Sequence, residues 1–515
     1  MRLILSPFGT LALDQNTFIA WSTRLSQVGF SKFYLGNWSD YLPGYLYILN
    51  LLAQIAKTNI IPNVVLYKLP AIISDIGTGY LIYRIVRKLK NEKWGLITAS
   101  LYVFNPAVIA NSALWGQVDS LTALFSLLTL WSLEFNPYVS AFSLAIGTLI
   151  KPQMAVISLI ILVLMIQKKW KLTKIFSYIM GSFLIFIGGF IPFNNTNNLV
   201  SFIISRLNTS LNQYPYTSVN AFNFWAIGGT WKPDAGFNII GGLVILVLFF
   251  TFGMRFLKQK GGEYILMAFT FAISYLFMTR MHERHLLPVF APLTIAVAFN
   301  PVFIFSLVGF SFVYVLNLYW AWAWVTNHFD QVFSDLIVKT LSVINILMLA
   351  VFLLPEKFSN LFSFLERTKK DTRREVFSKA ILFEKINISS QTIKIMFIGV
   401  VFFAALTRLY DLPSPRNNYF DEVYHAFTAQ NMLHGVTRAW EWWNPNPEGF
   451  AYEWTHPPLA KEGMVLGMKF LGENSFGYRF PGAILGVGSV ILIFFILKRF
   501  LKMNFWHLLH RRHLH

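Results

Sequence analysis

Phe420-Asp421-Glu422 and His456-Pro457-Pro458-Leu459-Ala460-Lys461 lie in one polar segment between apolar runs at 392–409 and 478–497. These charges cannot face lipid, because each costs roughly 2.5–3.5 kcal/mol or more at mid-bilayer. The flanking runs therefore read as membrane spans, and the charged residues as lining a water-accessible cavity at the membrane surface. The start of the chain repeats the arrangement with Asp14, Trp21 and Asp40-Tyr41-Leu42-Pro43-Gly44-Tyr45. Two copies of one membrane-surface plan are expected.

Composition agrees with that reading. Hydrophobic residues make up 55% of the 515, and charged residues only 13%, against about a quarter charged in a soluble domain. The formal charge of +19 raises nucleic acid as a partner. The basic residues instead cluster in short loops between apolar runs, as in cytoplasmic loops of membrane proteins, so no nucleic acid is expected. With no cysteine, disulfides, thiolate metal sites and a cysteine nucleophile are excluded.

A span needs about 20 mostly apolar residues. Candidates fall at 65–86, 94–112, 118–134, 138–150, 152–167, 174–193, 238–256, 263–279, 285–300, 302–319 and 336–355, with 392–409 and 478–497 after them. The fold class is thus an all-α polytopic membrane bundle of about 11 spans plus 2 more. Basic loops at 84–93, 168–174, 255–260, 356–390 and 498–502 fall on one side of this alternation, which the positive-inside rule makes cytoplasmic. The opposite side collects Asp14, Asp40, Trp115-Gly116-Gln117-Val118-Asp119-Ser120, Lys151-Pro152-Gln153, Arg280-Met281-His282-Glu283-Arg284-His285 and the 410–476 loop. Chemistry on the extracytoplasmic face of the plasma membrane is expected.

Residues 356–390 read as a basic cytoplasmic linker between modules at 1–355 and 391–515. The modules begin alike: Tyr67-Lys68-Leu69-Pro70 opens one span and Tyr478-Arg479-Phe480-Pro481 another, a self-similarity to be sought early. The His-rich end reads as a frameshifted or artificial tail in preference to a metal-binding one. Met1 to Leu13 is too short to span a bilayer, so the chain is expected to be a piece of a longer polypeptide, lacking a first transmembrane helix.

These motifs resemble the GT-C superfamily, membrane glycosyltransferases that use a polyprenyl-phosphate-linked sugar. Residues 1–355 look like mannosyl- and glucosyltransferases that extend lipid-linked glycans. The likeness rests on Asp14 with Trp21, on Asp40 to Gly44, on the 115–120 turn, on Lys151-Pro152-Gln153 and on Met281 to Pro288. Residues 391–500 resemble the start of dolichyl-phosphate-mannose–protein mannosyltransferases, through Asp421-Glu422, His456 to Lys461 and Tyr478 to Pro481. The superfamily's usual Asp-Tyr-Pro-Pro reads Asp40-Tyr41-Leu42-Pro43 here.

Sugar transfer from a phosphate ester requires an acceptor hydroxyl to lose its proton while a phosphate departs, and a carboxylate within hydrogen-bond reach can take that proton. Asp14, with Asp40, is the catalytic candidate in the first module, and Asp421 with Glu422 in the second. The alternative for Asp14 is a helix cap. Arg280, His282, Arg284 and His285 are expected to clamp the donor phosphate, as Lys461 and Arg479 would in the second module, since Arg binds phosphate bidentately. Snorkelling at a helix start is the alternative for Arg479. Trp115, Gln117, Asp119, Lys151, Glu283 and His456 are the substrate-binding candidates. No metal ligand is assigned, and a divalent cation stays open as a cofactor. The expected partners are a lipid-linked, mannose-like donor, a glycan, lipid or protein acceptor, and membrane lipids. A transporter or flippase of lipid-linked glycans is the rival, with Asp75 its one clear mid-span acid, and an inactive fragment of a fused two-enzyme polypeptide the third reading.

Overall fold

Backbone N–H and C=O groups have no water to bind inside a bilayer, so a crossing segment must satisfy them internally, and helices do so. Every apolar run named above is helical in the computed structural model, which describes residues 1–355, 390–419, 421–441, 443, 452, 456 and 458–502. The protein is an all-α polytopic membrane protein. The expected linker and His-rich tail, together with Phe420 and Pro457, lie outside the described residues. The chain divides into two compact units, Met1–Ser359 and Asn360–His515.

Among the described residues, six helices are long and apolar enough to cross a membrane: Asn63–Leu89, Leu172–Phe193, Phe237–Lys258, Pro301–Thr326, Asp335–Leu353 and Ser475–Ile496. A bent pair, Glu92–Val103 with Pro106–Trp115 at 46°, makes a seventh. That is fewer than the eleven plus two expected, because several apolar runs form shorter helices. Lys151-Pro152 separates Pro137–Ile150 from Pro152–Gln167, and the 285–300 run divides into a 3-10 turn, Glu283–Val289, and the ten-residue helix Phe290–Phe299. The helix Asp119–Ser132 buries Asp119, Ser120, Thr122, Ser126 and Thr129 and so turns a polar face inward.

Local chemistry sets the helix starts. Asn136 accepts from the backbone N–H of Tyr138 and Val139, with Pro137 at the first helical position. Both choices suit an N-terminus, where the first N–H groups lack helical partners. The bend at 104–106 has a similar cause: Asn105 caps Pro106–Ile109 by accepting from Ala107. Its amide also donates to Ser311 Oγ at 2.8 Å. The chain then passes through a π-helical turn, Ala110–Trp115, of the kind that marks functional positions. Gly116, at φ +90°, ends that turn in a conformation that suits glycine.

Two close packings carry the N-terminal segments to the site. Phe18, Trp21, Phe33, Tyr45 and Phe193 form an aromatic core between the helices Ala12–Val28 and Pro43–Ala56 and the 193 turn. Gly44 presses on the end of Pro137–Ile150, where a Cβ would lie 2.5 Å from the Leu149 carbonyl carbon. That approach brings the Asp40-Tyr41 loop onto Lys151. A two-residue parallel pairing, Ser218 with Met281 and Val219 with His282, fixes the 280–285 segment.

In the second unit the helices Glu422–Leu433, Leu459–Leu471 and Ser475–Lys502 pack around Ala426, Ala429, Met468 and Tyr478.

Candidate active site

Asp14 sits in the first turn of Ala12–Val28, whose N-cap is Leu11. Its carboxylate is therefore not the helix cap. Instead its Oδ2 accepts the indole N–H of Trp115 at 2.7 Å and the side-chain amide of Gln117. Trp115, Gln117 and Asp119 are only 5%, 1% and 3% exposed. The π-turn buries them as an inner wall.

A cavity of about 540 Å³ opens beside that wall, lined by Asp40, Tyr41, Lys151, His282, Arg284 and His285 among others. Lys151 Nζ stands 3.7 Å from Asp119 Oδ1 and 5.1 Å from the centre of the Tyr41 ring. Arg284 lies 4.0 Å from Asp119 Oδ2 and donates to Glu283 Oε1 at 2.8 Å. Burial lowers the Lys151 ammonium from its ordinary value, while Asp119 pulls it back up. Burial likewise pushes the Asp40 carboxyl up, against the pull of Lys151 and Arg284. The charge of Asp14 acts on Asp40, Lys151, Glu283 and Arg284, so these groups form one electrostatic cluster.

The expected phosphate clamp is divided by the structure. Arg280 also lines the cavity but is tied to its rim: it donates to Asp234 Oδ2 at 2.6 Å, to the Leu211 carbonyl at 2.8 Å and to Asn212 Oδ1 at 2.6 Å. Burial, reinforced by Arg284 and Lys151, holds His282 well below the ordinary imidazole value. It is thus neutral at neutral pH and offers a hydrogen bond, not a charge. Its ring lies 5.1 Å from that of His285, whose Nδ1 accepts the His282 backbone N–H at 3.2 Å. Lys151 and Arg284, both close to Asp119, are the cations that line the cavity beside Arg280. Among the described residues no three His, Cys, Asp or Glu side chains come together as metal ligands.

Among the described residues, four buried polar atoms beside the cavity make no hydrogen bond: Gln117 Oε1, Asp119 Oδ2, Thr122 Oγ1 and Arg284 Nε. Buried polar groups nearly always find partners, so a concentration of orphans beside a cavity marks a place where a polar ligand or water is held.

In the second unit Glu422 and Arg479 form a bidentate pair, with Nε to Oε1 and Nη2 to Oε2 both 2.6 Å. Snorkelling therefore does not describe Arg479. Burial raises the Glu422 carboxyl, but the Arg479 hydrogen bonds outweigh it and hold it below its ordinary value. Asp421 is exposed beside this pair, and Lys461, 2% exposed, donates to the His456 carbonyl at 3.0 Å. The His456 ring is 5.0 Å from that of His425.

Residues 40–193, which hold Asp40, the Trp115–Asp119 turn and Lys151, match the family model described as dolichyl-phosphate-mannose-protein mannosyltransferase. The chain carries a mannosyltransferase-like module. The match falls in the first unit. A polyprenol-phosphate-mannose–protein mannosyltransferase of Mycolicibacterium smegmatis is 37% identical to the chain over 101 residues. One of Mycobacterium tuberculosis is 35% identical over 105 residues. Each similarity covers 19% of this chain and 18% of the relative's length.

Sequence reasoning missed the contacts of Lys68 and Asp234 in and around the mannosyltransferase-like module. Lys68 carried a signal, a charge at the start of an apolar span. Asp234 carried none, because its pairing with Arg280 spans 46 residues.

Proposed function

We propose that this chain is a membrane mannosyltransferase that moves a mannose-like hexose from a polyprenyl phosphate to a hydroxyl acceptor. A glycan, lipid or protein supplies that hydroxyl, and the site faces away from the cytoplasm. The observation that carries the proposal is the cavity lined by Lys151, Arg284 and Thr122, whose two cations lie 3.7 and 4.0 Å from Asp119 in a neighbouring layer of buried polar groups that includes Gln117, a donor to Asp14. A sugar phosphate needs both features: positive charge for the phosphate, and buried donors and acceptors for the hydroxyls. The polyprenol-phosphate-mannose named for the relatives supports this donor class, and the one-sided basic loops support the sidedness.

In this reading the acceptor oxygen attacks C1 of the hexose while the C1–O bond to phosphate breaks. The electron pair leaves with the phosphate, and the acceptor proton passes to Asp14. A single displacement inverts the anomeric carbon. Trp115 and Gln117 hold one oxygen of Asp14 and leave the other to receive the proton. Lys151 and Arg284 meet the charge that grows on the phosphate, and fixed charge of this kind is often the largest catalytic effect. His282 and His285 donate neutral hydrogen bonds at the cavity wall. Asp421, with Glu422 held by Arg479, is the corresponding acid pair of a second, protein-mannosyltransferase-like module.

The transporter reading relied on Asp75. That carboxylate is fully buried, 3.0 Å from Arg2 Nε, and accepts from Ser112 Oγ, an arrangement that favours a structural tie over a carrier site. Transfer assayed in membranes from prenyl-phosphate mannose and from nucleotide-linked mannose tests the proposal. Product from the lipid donor alone is expected, and product from the nucleotide sugar alone would refute it.

A further inference from the structure

Lys68 is 1% exposed, yet among the described residues no carboxylate pairs with it. Its Nζ is surrounded by backbone carbonyls: Ser6 at 2.7 Å, Phe8 at 3.1 Å, Ala113 at 3.1 Å and Leu114 at 2.5 Å. An ammonium has three N–H donors, so all are used, and one is shared. The four acceptors come from two separate segments. Residues 6–8 lead into the helix that carries Asp14, and residues 113–114 lead into Trp115 and Gln117, the two donors to Asp14.

Neighbouring contacts point the same way. Tyr67 donates its hydroxyl to Ser22 Oγ at 2.6 Å, further along the Asp14 helix. The Lys68 stem fills the space beside Gly116, where a Cβ would lie 2.9 Å from Lys68 Cγ. The backbone N–H groups of both Gly116 and Gln117 bond to the Asn111 carbonyl, which closes residues 111–117 into one tight turn whose 113–114 carbonyls Lys68 holds.

We infer that Lys68 is a positioning residue for the Asp14 site: its ammonium staples the segment ahead of Asp14 to the segment that supplies Asp14's hydrogen-bond donors. The inference rests on the reading of Asp14 as the base. An ammonium suits this task, since charge-assisted hydrogen bonds are about twice as strong as neutral ones and its three N–H donors can reach carbonyls of two separate segments at once.

The test uses the full chain in membranes with prenyl-phosphate mannose as donor. Lys68→Met keeps the stem and removes the donors. It is expected to lower kcat by about tenfold or more and to leave the donor KM within about twofold, because Lys151 and Arg284 are untouched. Amide exchange should rise at 6–9 and 113–117 and stay unchanged elsewhere. In a Trp115→Phe background the same substitution should cost far less, as for residues acting through one contact. Lys68→Arg, which restores charge and donors, should recover part of the rate, and it carries the same readouts if Lys68→Met does not accumulate. Additive losses, or unchanged exchange at both segments, would overturn the staple. Full activity in Asp14→Asn would instead overturn the base, and the exchange result would still judge the staple.

Discussion

Trp115 donates its indole N–H to Asp14 Oδ2 at 2.7 Å across 101 positions of sequence. The contact joins the first turn of an N-terminal helix to the end of a π-turn, and it makes the carboxylate's orientation a property of the fold. Asp14→Asn is expected to lower transfer by about 100-fold or more, the usual scale for a general base, with membrane insertion and helix content unchanged. Trp115→Phe keeps the ring and loses one hydrogen bond to a charged group, worth about 1.5–3 kcal/mol, so the rate should fall roughly 10- to 100-fold. Undiminished turnover in Asp14→Asn would refute the base assignment.

Lys151 and Asp119 are both nearly buried, with side chains 7% and 4% exposed. Removing Lys151 leaves Asp119 with the more distant Arg284 alone, at 4.0 Å, so the loss should reach at most about 3–5 kcal/mol, the cost typical of a broken buried pair. Lys151→Met should therefore lose both stability and donor binding. Lys151→Met combined with Asp119→Asn should recover much of the stability, read by thermal unfolding in detergent, while donor KM stays raised. Recovery of donor affinity in the double variant would show that Lys151 does not serve the phosphate.

The pH dependence separates lysine and arginine from histidine as the source of positive charge. A histidinium clamp would release its proton as pH rose through about 6.5, and donor binding would weaken over that range. Burial keeps His282 well below that value, so donor KM should stay flat between about pH 6 and 8. The sign for stability runs the other way. A folded imidazole that resists protonation lets the unfolded chain bind the extra proton, so stability is present above the ordinary value and lost as pH falls below it. His282→Gln should blunt that acid-side loss, measured as the unfolding temperature against pH.

Gly44 lies where a Cβ would fall 2.5 Å from the Leu149 carbonyl carbon. Backbone cannot swing aside as a long side chain can, so Gly44→Ala must move Pro43–Ala56 away from Pro137–Ile150. A loss of about 1–3 kcal/mol is expected from such overpacking. Since Asp40 and Lys151 sit at the two touching ends, donor KM should rise as well. An unchanged KM with reduced stability would separate the packing from the site.

The proposed neutralisation of the departing phosphate by Lys151 and Arg284 leads to one more expectation. Chelation of divalent cations should leave the transfer rate from prenyl-phosphate mannose within about twofold. A loss restored by one added metal would place a cation in the site.

Much of the site's membership was legible from residue type, because charges and histidines between apolar runs have few places to go. Asp14, Asp40, Asp119, Lys151 and the 280–285 segment were all visible on that ground. Their partnerships were not. Arg280 reads as a free cation in sequence and is tied to Asp234 in space. The 118–134 run reads as a span, yet its helix turns a row of serines and threonines inward.

By itself the sequence determined the solvent in which this protein folds, because 55% hydrophobic and 13% charged residues can be accommodated only where apolar helices face lipid. It also determined where helices start and stop, through asparagine, proline and glycine acting on neighbouring backbone. Only the tertiary structure decided which charges cancel and which stay available, and which lysine ties two segments together. Those outcomes depend on distances of a few ångströms between residues tens to hundreds of positions apart, set by close packings such as Gly44 on Leu149.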